Sequence, residues 1–265
     1  MTKTTLTTFA LALTALTIGA CDMPQEEAKP RCAANVHSGT LYVHEHDLES
    51  LRTITAVTGD VVVASTEWTD LRALECLESV NSSLHISDNP KLETADGLER
   101  LREVGGSIVF GSNAALVDTD SLLGIQSVGS IAIVSNPALE WIEWLRVVQD
   151  LGWLVIEDND ALVSLDSLSS LRSVGLVTIA DNPRLLDVKA ARLQQLVGDD
   201  LEIVRNSSLR SLELPEFVEL GGRLHIRQNH SLPTCAAQQV ATQLRNHGFD
   251  GEVSIYGNRD DAFCK

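Results

Sequence analysis

Few side chains in this sequence could carry chemistry, and they are scattered along the chain. His44 and His46 alternate along a short segment beside Glu45 and Asp47, a spacing that is compatible with a zinc or copper site. Histidines at the irregular start of a fold are more often simply exposed. We therefore predict no metal site and no cofactor.

Acidic residues are the second candidate. Asp158 and Asp181 each precede an asparagine, and two neighbouring carboxylates could share a proton or bind a cation. Aspartate before asparagine also suits a turn, which is the interpretation that we favour. A polysaccharide lyase or hydrolase would need acids clustered with Lys or Arg on one face, whereas Glu157, Glu202 and Arg227 are scattered over several of the predicted coils. The sequence therefore predicts that the protein is not an enzyme.

Three tryptophans, Trp141, Trp144 and Trp153, lie close together in the sequence. Such rings could stack on a sugar or on a partner protein. Core packing is the alternative that we favour for them.

The elements that must position these side chains come from a short repeat. Residues 84–92 read LHISDNPKL, and the same frame returns later in the chain, for example at 154–162 and 201–209. The repeat is centred on asparagines spaced by 23 or 24 residues: Asn89, Asn113, Asn136, Asn159, Asn182, Asn206 and Asn229. A fixed period in this range indicates a solenoid of stacked coils, each of which buries its apolar face against its neighbours.

Each coil follows one pattern. Apolar residues stand five and three positions before the asparagine, as in a strand with one buried face. A buried asparagine can satisfy backbone groups of its own coil and of adjacent coils, so we predict a structural ladder of stacked amides. A glycine stands before the next strand, where we predict a tight or positive-φ turn: Gly105, Gly129, Gly152, Gly175 and Gly198.

The strand residues four and two positions before each asparagine should point away from the core. In the middle of the chain they are apolar, and an exposed apolar strip of this extent would be a partner surface. The predicted face consists of Val109, Ala132, Val134, Val155, Ala180 and Val204. The alternatives are that β-branched residues simply suit strands, or that a loop covers them.

The first twenty residues have the features of a secretory signal, with an apolar run too short to span a bilayer. The run ends in Ile18-Gly19-Ala20-Cys21, which resembles a bacterial lipobox. The resemblance implies that Cys21 is lipidated and anchors the protein without a transmembrane helix. Residues 21–31 would then be the lipidated cysteine and a flexible tether, and residues 32–265 a single solenoid.

Four cysteines follow Cys21: Cys32, Cys76, Cys235 and Cys264. An even number in an exported chain indicates disulfides, although connectivity does not follow from sequence alone. Their placement favours Cys32–Cys76 and Cys235–Cys264, which would staple the two ends of the solenoid. A site of four thiolates is the alternative, but the chain has no CxxC spacing.

The end of the chain departs from the period. Residues 234–248 have helical spacing at Val240 and Leu244, and Gly248 suits the end of a helix. A last strand then leads to Asn258. We predict that this helix caps the final coil and hides the edge of the sheet.

The charge of the chain limits its partners. The formal net charge is −17, from 20 basic and 37 acidic residues. Such a surface repels phosphate backbones, and nucleic acid is therefore not a predicted partner.

The run L-x-I-x-x-N-x-x-L, followed by a further leucine and by Val-Gly, resembles the receptor L domain over residues 40–258. It is also similar to leucine-rich repeats, but these place leucine two residues after the asparagine, where this chain has Lys91 or Ala115, for example. The resemblance implies a mainly β, right-handed solenoid with short parallel strands and a cysteine-capped start. It also suggests binding on a sheet face, and it carries over no catalytic residue.

These observations together predict a monomeric, lipid-anchored recognition protein of the bacterial cell envelope, at the outer membrane or the cell surface. It would do no chemistry and would bind a protein or a glycan. The alternatives are a β-helix polysaccharide lyase or hydrolase, and a structural spacer in the envelope.

Overall fold

The structure, a computed structural model, describes residues 32–196, 198, 200–214 and 219–260. All of them belong to one compact unit, Cys32–Lys265. The predicted signal peptide, the lipidated Cys21 and the tether lie outside the described residues, as does Cys264. Within the described part, no helix has the length and apolar character needed to cross a membrane.

The described residues form short strands separated by turns and single helical turns. The strands are β1 (Val36–His37), β2 (Leu41–Tyr42), β3 (Ala56–Val57), β4 (Val61–Ala64), β5 (Ser79–Val80), β6 (Leu84–Ser87), β7 (Glu103–Gly111), β8 (Ser127–Val134), β9 (Asp150–Glu157), β10 (Ser164–Leu165), β11 (Ser173–Ala180), β12 (Asp187–Lys189), β13 (Gln195–Leu196), β14 (Leu201–Val204), β15 (Ser211–Glu213), β16 (Glu219–Leu220), β17 (Leu224–Arg227) and β18 (Val253–Tyr256). The α-helices are α1 (Leu48–Leu51) and α2 (Thr234–Asn246), and the 3-10 helices are Val43–Glu45, Arg72–Leu74, Asp120–Gly124, Glu143–Val147 and Asp166–Ser170.

Each full strand pairs in parallel with the equivalent strand of the next coil. One continuous path runs β2-β4-β6-β7-β8-β9-β11-β14-β17-β18. The first part of β7 pairs with β5 and its second part with β6, so the longer strands join two adjacent portions of this sheet. A second, three-stranded sheet contains β10, β12 and β15. The mainly parallel sheet with few helices agrees with the predicted solenoid class.

The repeat pattern explains the core. The two inward positions of a strand, such as Leu154 and Ile156, are 0% exposed, and so is Leu162, which follows the asparagine by three residues. Each coil therefore contributes one thin layer of aliphatic side chains, and the layers pack on each other along the stack.

The asparagines form a buried hydrogen-bonded column. Each backbone N–H donates to the Oδ1 of the next asparagine, at 3.0–3.2 Å from Asn89 to Asn258. Each Nδ2 also donates to a strand carbonyl of the preceding coil, at 2.8–3.0 Å. Thr66 takes the first place in the column, because its N–H and its hydroxyl both donate to Asn89 Oδ1.

The left-handed backbone residues lie elsewhere than we predicted. None of Gly105, Gly129, Gly152 and Gly175 has a positive φ; instead the residue directly before each asparagine does, for example Asp158 at 59° and Asp181 at 54°. The glycines are needed for close approach. A Cβ at Gly175 would lie 2.3 Å from the carbonyl oxygen of Gly152 in the preceding coil.

The two ends of the described chain carry disulfides. The predicted Cys32–Cys76 bond is confirmed. Cys235 is also disulfide-bonded, but Cys264, its predicted partner, lies outside the described residues. Helix α2 contains Cys235, buries Val240 and Leu244, and packs against β15 and β18.

Candidate recognition face of the sheet

The strand residues that point away from the core form continuous rows, because the pairing has one register from coil to coil. We call this surface the outer face. One row runs Val109, Ala132, Val155, Thr178 and Glu202 on successive strands. A parallel row contains Gly111, Val134, Glu157, Ala180 and Val204.

The six predicted face residues differ in exposure. Val109, Val134 and Val155 are half-buried, whereas Ala132, Ala180 and Val204 are 8%, 4% and 4% exposed. None of the six belongs to the hydrophobic core cluster, so all lie on the outer side. The buried three are shielded by larger neighbours in their rows: Ala132 lies between two valines, and Val204 lies beside Arg227.

The face extends further than we predicted. Trp153 and Leu176 stand six residues before their asparagines, and they pair across β9 and β11. Both are half-buried, alternate with buried Leu154 and Val177, and lie outside the core cluster. The predicted outward positions were four and two residues before each asparagine. Extending this alternation to the position six residues before would have identified both side chains. We call Val109, Val134, Trp153, Val155 and Leu176 the apolar patch.

The three tryptophans that we predicted to be core residues occupy different environments. Trp144 is fully buried, with no hydrogen-bond partner for its Nε1. Trp141 is 47% exposed, outside the strands. The core interpretation therefore holds for Trp144 and is wrong for Trp141 and for Trp153, which lies in the apolar patch.

A charged cluster occupies the C-terminal end of the outer face, on β14, β17 and β18. Glu202 Oε1 accepts a hydrogen bond from His225 Nδ1 at 2.7 Å, and His225 is only 6% exposed. Arg227 Nη2 lies 3.6 Å from the same Glu202 oxygen. The Arg227 guanidinium also lies 5.9 Å from the ring centroid of Tyr256, which is 53% exposed.

Arg227 is poorly satisfied within the described part of the chain. Its side chain is 27% exposed, its Nε is buried without a partner, and its approach to Glu202 exceeds hydrogen-bond distance. Buried polar groups in folded proteins are nearly always hydrogen-bonded, so an exception indicates water, an ion or a ligand. A carboxylate is the group that best matches the guanidinium donors.

The cluster contains three residue types found in catalytic triads. His225 pairs with Ser254 on the next strand and with Glu202 on the preceding one. In the described structure, however, Ser254 makes no hydrogen bond with His225, which a base-activated nucleophile would need.

The two aspartates of the predicted pair have different partners. Asp158 Oδ2 accepts from the Ser135 hydroxyl at 2.9 Å, and Asp181 Oδ1 accepts from Arg205 Nε at 2.6 Å. The hydrogen bond that Arg205 donates to Asp181 raises the pKa of Arg205 above its usual value. Among the described residues, no group of three or more His, Cys, Asp or Glu could hold a metal ion.

His44 and His46 do not form the pair that their spacing suggests. They lie at the 3-10 helix Val43–Glu45 rather than on a strand, so their rings separate. The His44 ring contacts Tyr42, and the His46 ring contacts His37.

The cavities described do not involve the apolar patch. Three of them, of ≈ 290, ≈ 410 and ≈ 230 Å³, are lined by residues elsewhere in the described fold. The first lies between the turns at Gln126 and Gln149, and the second lies between β15 and α2.

Comparison with known proteins adds little to this description. No protein-family model matches the chain, and no curated protein matches it. Among solved structures, the chain is similar to TLR13 in the crystal structure of the TLR13–ssRNA13 complex, with 13% identity and a TM-score of 0.29. That match covers 86% of this chain and 44% of the TLR13 chain. The class of the protein therefore rests on its own geometry, a mostly parallel β-sheet that is consistent with a β solenoid.

Proposed function

We propose that this chain is a recognition protein that binds a partner protein through the outer face of its sheet and does no chemistry. The observation that carries the proposal is the apolar patch. Five aliphatic or aromatic side chains, including Trp153 and Val155, lie half-buried on the outer face and outside the core. Such patches are typical of protein–protein contacts.

The shape and composition of the face favour a protein over a glycan. Sites for small ligands are usually concave, whereas no residue of the apolar patch lines any of the three cavities described above. Trp, Tyr and Arg are the residues that most often dominate the binding energy of protein interfaces, and Trp153, Arg227 and Tyr256 supply all three. A glycan is the alternative, with the exposed rings of Trp141 and Tyr256 as stacking platforms.

The charged cluster would contribute specificity. A partner that places a carboxylate against the exposed part of the Arg227 guanidinium would add to its long contact with Glu202. Truncation of a buried, hydrogen-bonded charge at an interface typically costs about 2–5 kcal/mol. The apolar patch would supply contact area, and Arg227 would fix the orientation of the partner.

We further propose that the solenoid is of the receptor L domain type, right-handed and monomeric, with α2 as its cap. Its lipid anchor would be Cys21, at the end of the lipobox-like Ile18-Gly19-Ala20-Cys21. This places the protein at the outer membrane or the surface of a bacterial cell. A tether of residues 21–31 would let the outer face reach its partner.

Affinity capture from bacterial envelope extracts tests the proposal, with a glycan array in parallel. We compare the original chain with Val155→Lys, which places a charge in the apolar patch, and with Ser169→Lys, which adds the same charge to an exposed 3-10 turn. We expect a partner protein that Val155→Lys binds at least about tenfold more weakly, equivalent to about 1.4 kcal/mol. Ser169→Lys should bind as the original chain does.

Three other outcomes would contradict the proposal. If the Val155→Lys variant binds the partner as well as the original chain does, the partner does not bind at the outer face. If no extract yields a partner protein, the alternative function of a structural spacer in the envelope is favoured. Cleavage of an acidic polysaccharide by the original chain would favour the enzyme. Thermal unfolding of each variant checks that it remains folded.

A further inference from the structure

The first coil brings together two histidines that are nine residues apart in the sequence. His37 ends β1, and His46 follows the 3-10 helix Val43–Glu45. Their ring centroids are 5.3 Å apart, and the ring planes are inclined by 80°. Both side chains are half-buried, so the pair is fixed by packing and still reached by solvent.

Backbone carbonyls define the tautomers of both rings. His37 Nε2 lies 3.2 Å from the Thr40 carbonyl oxygen, and His46 Nδ1 lies 3.1 Å from that of Tyr42. A carbonyl oxygen only accepts, so each of these nitrogens must carry the hydrogen. In the neutral rings the lone pairs are therefore on His37 Nδ1 and His46 Nε2. Neither nitrogen has a hydrogen-bond partner among the described residues.

Both rings have the donor pattern that is typical of metal-binding histidines. A metal-bound imidazole almost always donates its other N–H to a carbonyl or a carboxylate, which orients the ring. With a zinc–nitrogen distance of about 2.0 Å, each ring centroid lies about 3.2 Å from the ion, and two rings at a tetrahedral angle have centroids about 5.2 Å apart. The observed 5.3 Å agrees with that separation.

We propose that His37 and His46 form a binding site for one divalent transition-metal ion, with Zn²⁺ as the ion whose geometry fits best. The site has two protein ligands, and solvent completes the coordination. It is consistent with the observation that no described group of three or more ligand residues exists. The inference is independent of the proposed recognition function.

The nearby alternatives to this pair have other roles. His44 contacts the Tyr42 ring and is exposed. The carboxylate of Asp47 accepts hydrogen bonds from the N–H and the hydroxyl of Ser50. These bonds hold the pKa of Asp47 below its usual value, so it serves as an ionised N-cap of α1.

Calorimetric titration of the untagged, chelator-treated full chain with ZnCl₂ tests the proposal. We compare the original chain with His37→Gln, His46→Gln and His44→Gln. Glutamine keeps an amide donor for the backbone carbonyl but offers no imidazole lone pair. We expect one Zn²⁺ per chain, an affinity at least about tenfold lower in His37→Gln and in His46→Gln, and no change in His44→Gln.

Nitrogen NMR of the imidazole rings gives a second measurement that does not require a variant. Zinc should shift His37 Nδ1 and His46 Nε2, while the other two ring nitrogens keep their hydrogens. The proposal is overturned if the chain binds no zinc, if His44→Gln weakens binding as much as His46→Gln does, or if the two nitrogens do not shift at saturating zinc.

Discussion

At the scale of single residues, the fold depends on asparagines that have no contact with solvent. Asn159 shows the pattern. Its Nδ2 donates to the carbonyl oxygens of Ile133 and Glu157 and to the Oδ1 of Asn182, and its own Oδ1 accepts from the N–H of Asn136. One side chain thereby bonds to backbone groups of its own coil and of the preceding coil, and to the asparagine side chain of the following coil.

Replacement of this side chain should be costly. We expect Asn159→Ala to lower the free energy of unfolding by about 3–5 kcal/mol, because it leaves several buried groups without partners. The matched control is Asn81→Ala at an exposed position, which should change stability by less than about 0.5 kcal/mol. Urea unfolding measures both. A loss below about 1 kcal/mol at Asn159 would contradict the structural role of the column.

The sequence predicted the asparagine column because a strict period reveals which side chains stack. It did not predict which residue adopts a left-handed backbone. Arg205 and Gln228 do so, at a φ of 58°, although neither is a residue type that favours this conformation. The stacking of equivalent turns determines the backbone there, and that constraint comes from neighbouring coils rather than from local sequence.

At the scale of the elements, the backbones of adjacent coils approach closely at glycines within the long strands. Gly175 lies where a Cβ would be 2.3 Å from the Gly152 carbonyl oxygen. Gly111 is also a strand glycine, but its Cβ would be 3.6 Å from the nearest non-adjacent atom, Ser87 Cβ, which is an ordinary contact. At Gly175 a side chain would clash with the backbone, whereas at Gly111 there is room for one. Only the first position therefore requires glycine for steric reasons.

This difference gives a matched pair of substitutions. Gly175→Ala should destabilise the protein by about 3 kcal/mol or more, since the backbone of two coils must shift. Gly111→Ala should be neutral or stabilising by up to about 1 kcal/mol, because alanine reduces the entropy of the unfolded chain. Thermal unfolding compares them. Equal effects of the two substitutions would show that close approach is not what selects glycine at position 175.

The strand pattern also shows what sequence reasoning missed on the face. The alternation of inward and outward residues was predicted from the apolar positions nearest the asparagine, and it placed Val109, Val134 and Val155 on the outer face. Trp153 lies two residues before Val155 and in the same phase, but the prediction did not extend that far along the strand. The pairing of Trp153 with Leu176 follows from the register of β9 and β11, which a single strand does not reveal.

At the scale of the whole molecule, each coil is stabilised mainly by its two neighbours. An end coil has one neighbour only, so its stability depends more on other links. The Cys32–Cys76 disulfide closes a segment of 44 residues that contains the first coils. A loop of this length predicts a stabilisation of about 4 kcal/mol in the chain-entropy model.

Removal of this disulfide should therefore act locally. In a Cys32→Ser, Cys76→Ser variant, we expect a loss of about 2–5 kcal/mol in the stability of the first coils. Hydrogen exchange should accelerate in β1 to β5, while β9 and β11 keep their protection. A uniform loss of protection along the chain would mean that the solenoid unfolds as one unit.

The proposed role also belongs to the whole molecule, because the outer face exists only when the coils are stacked in register. The most direct test is photo-crosslinking in cells, with a photoreactive amino acid at position 155 in the apolar patch or at position 169 on an exposed turn away from the strands. We predict one protein partner crosslinked from position 155 and none from position 169. Crosslinks from position 169 alone, or from neither position, would contradict the proposal that the outer face recognises a protein.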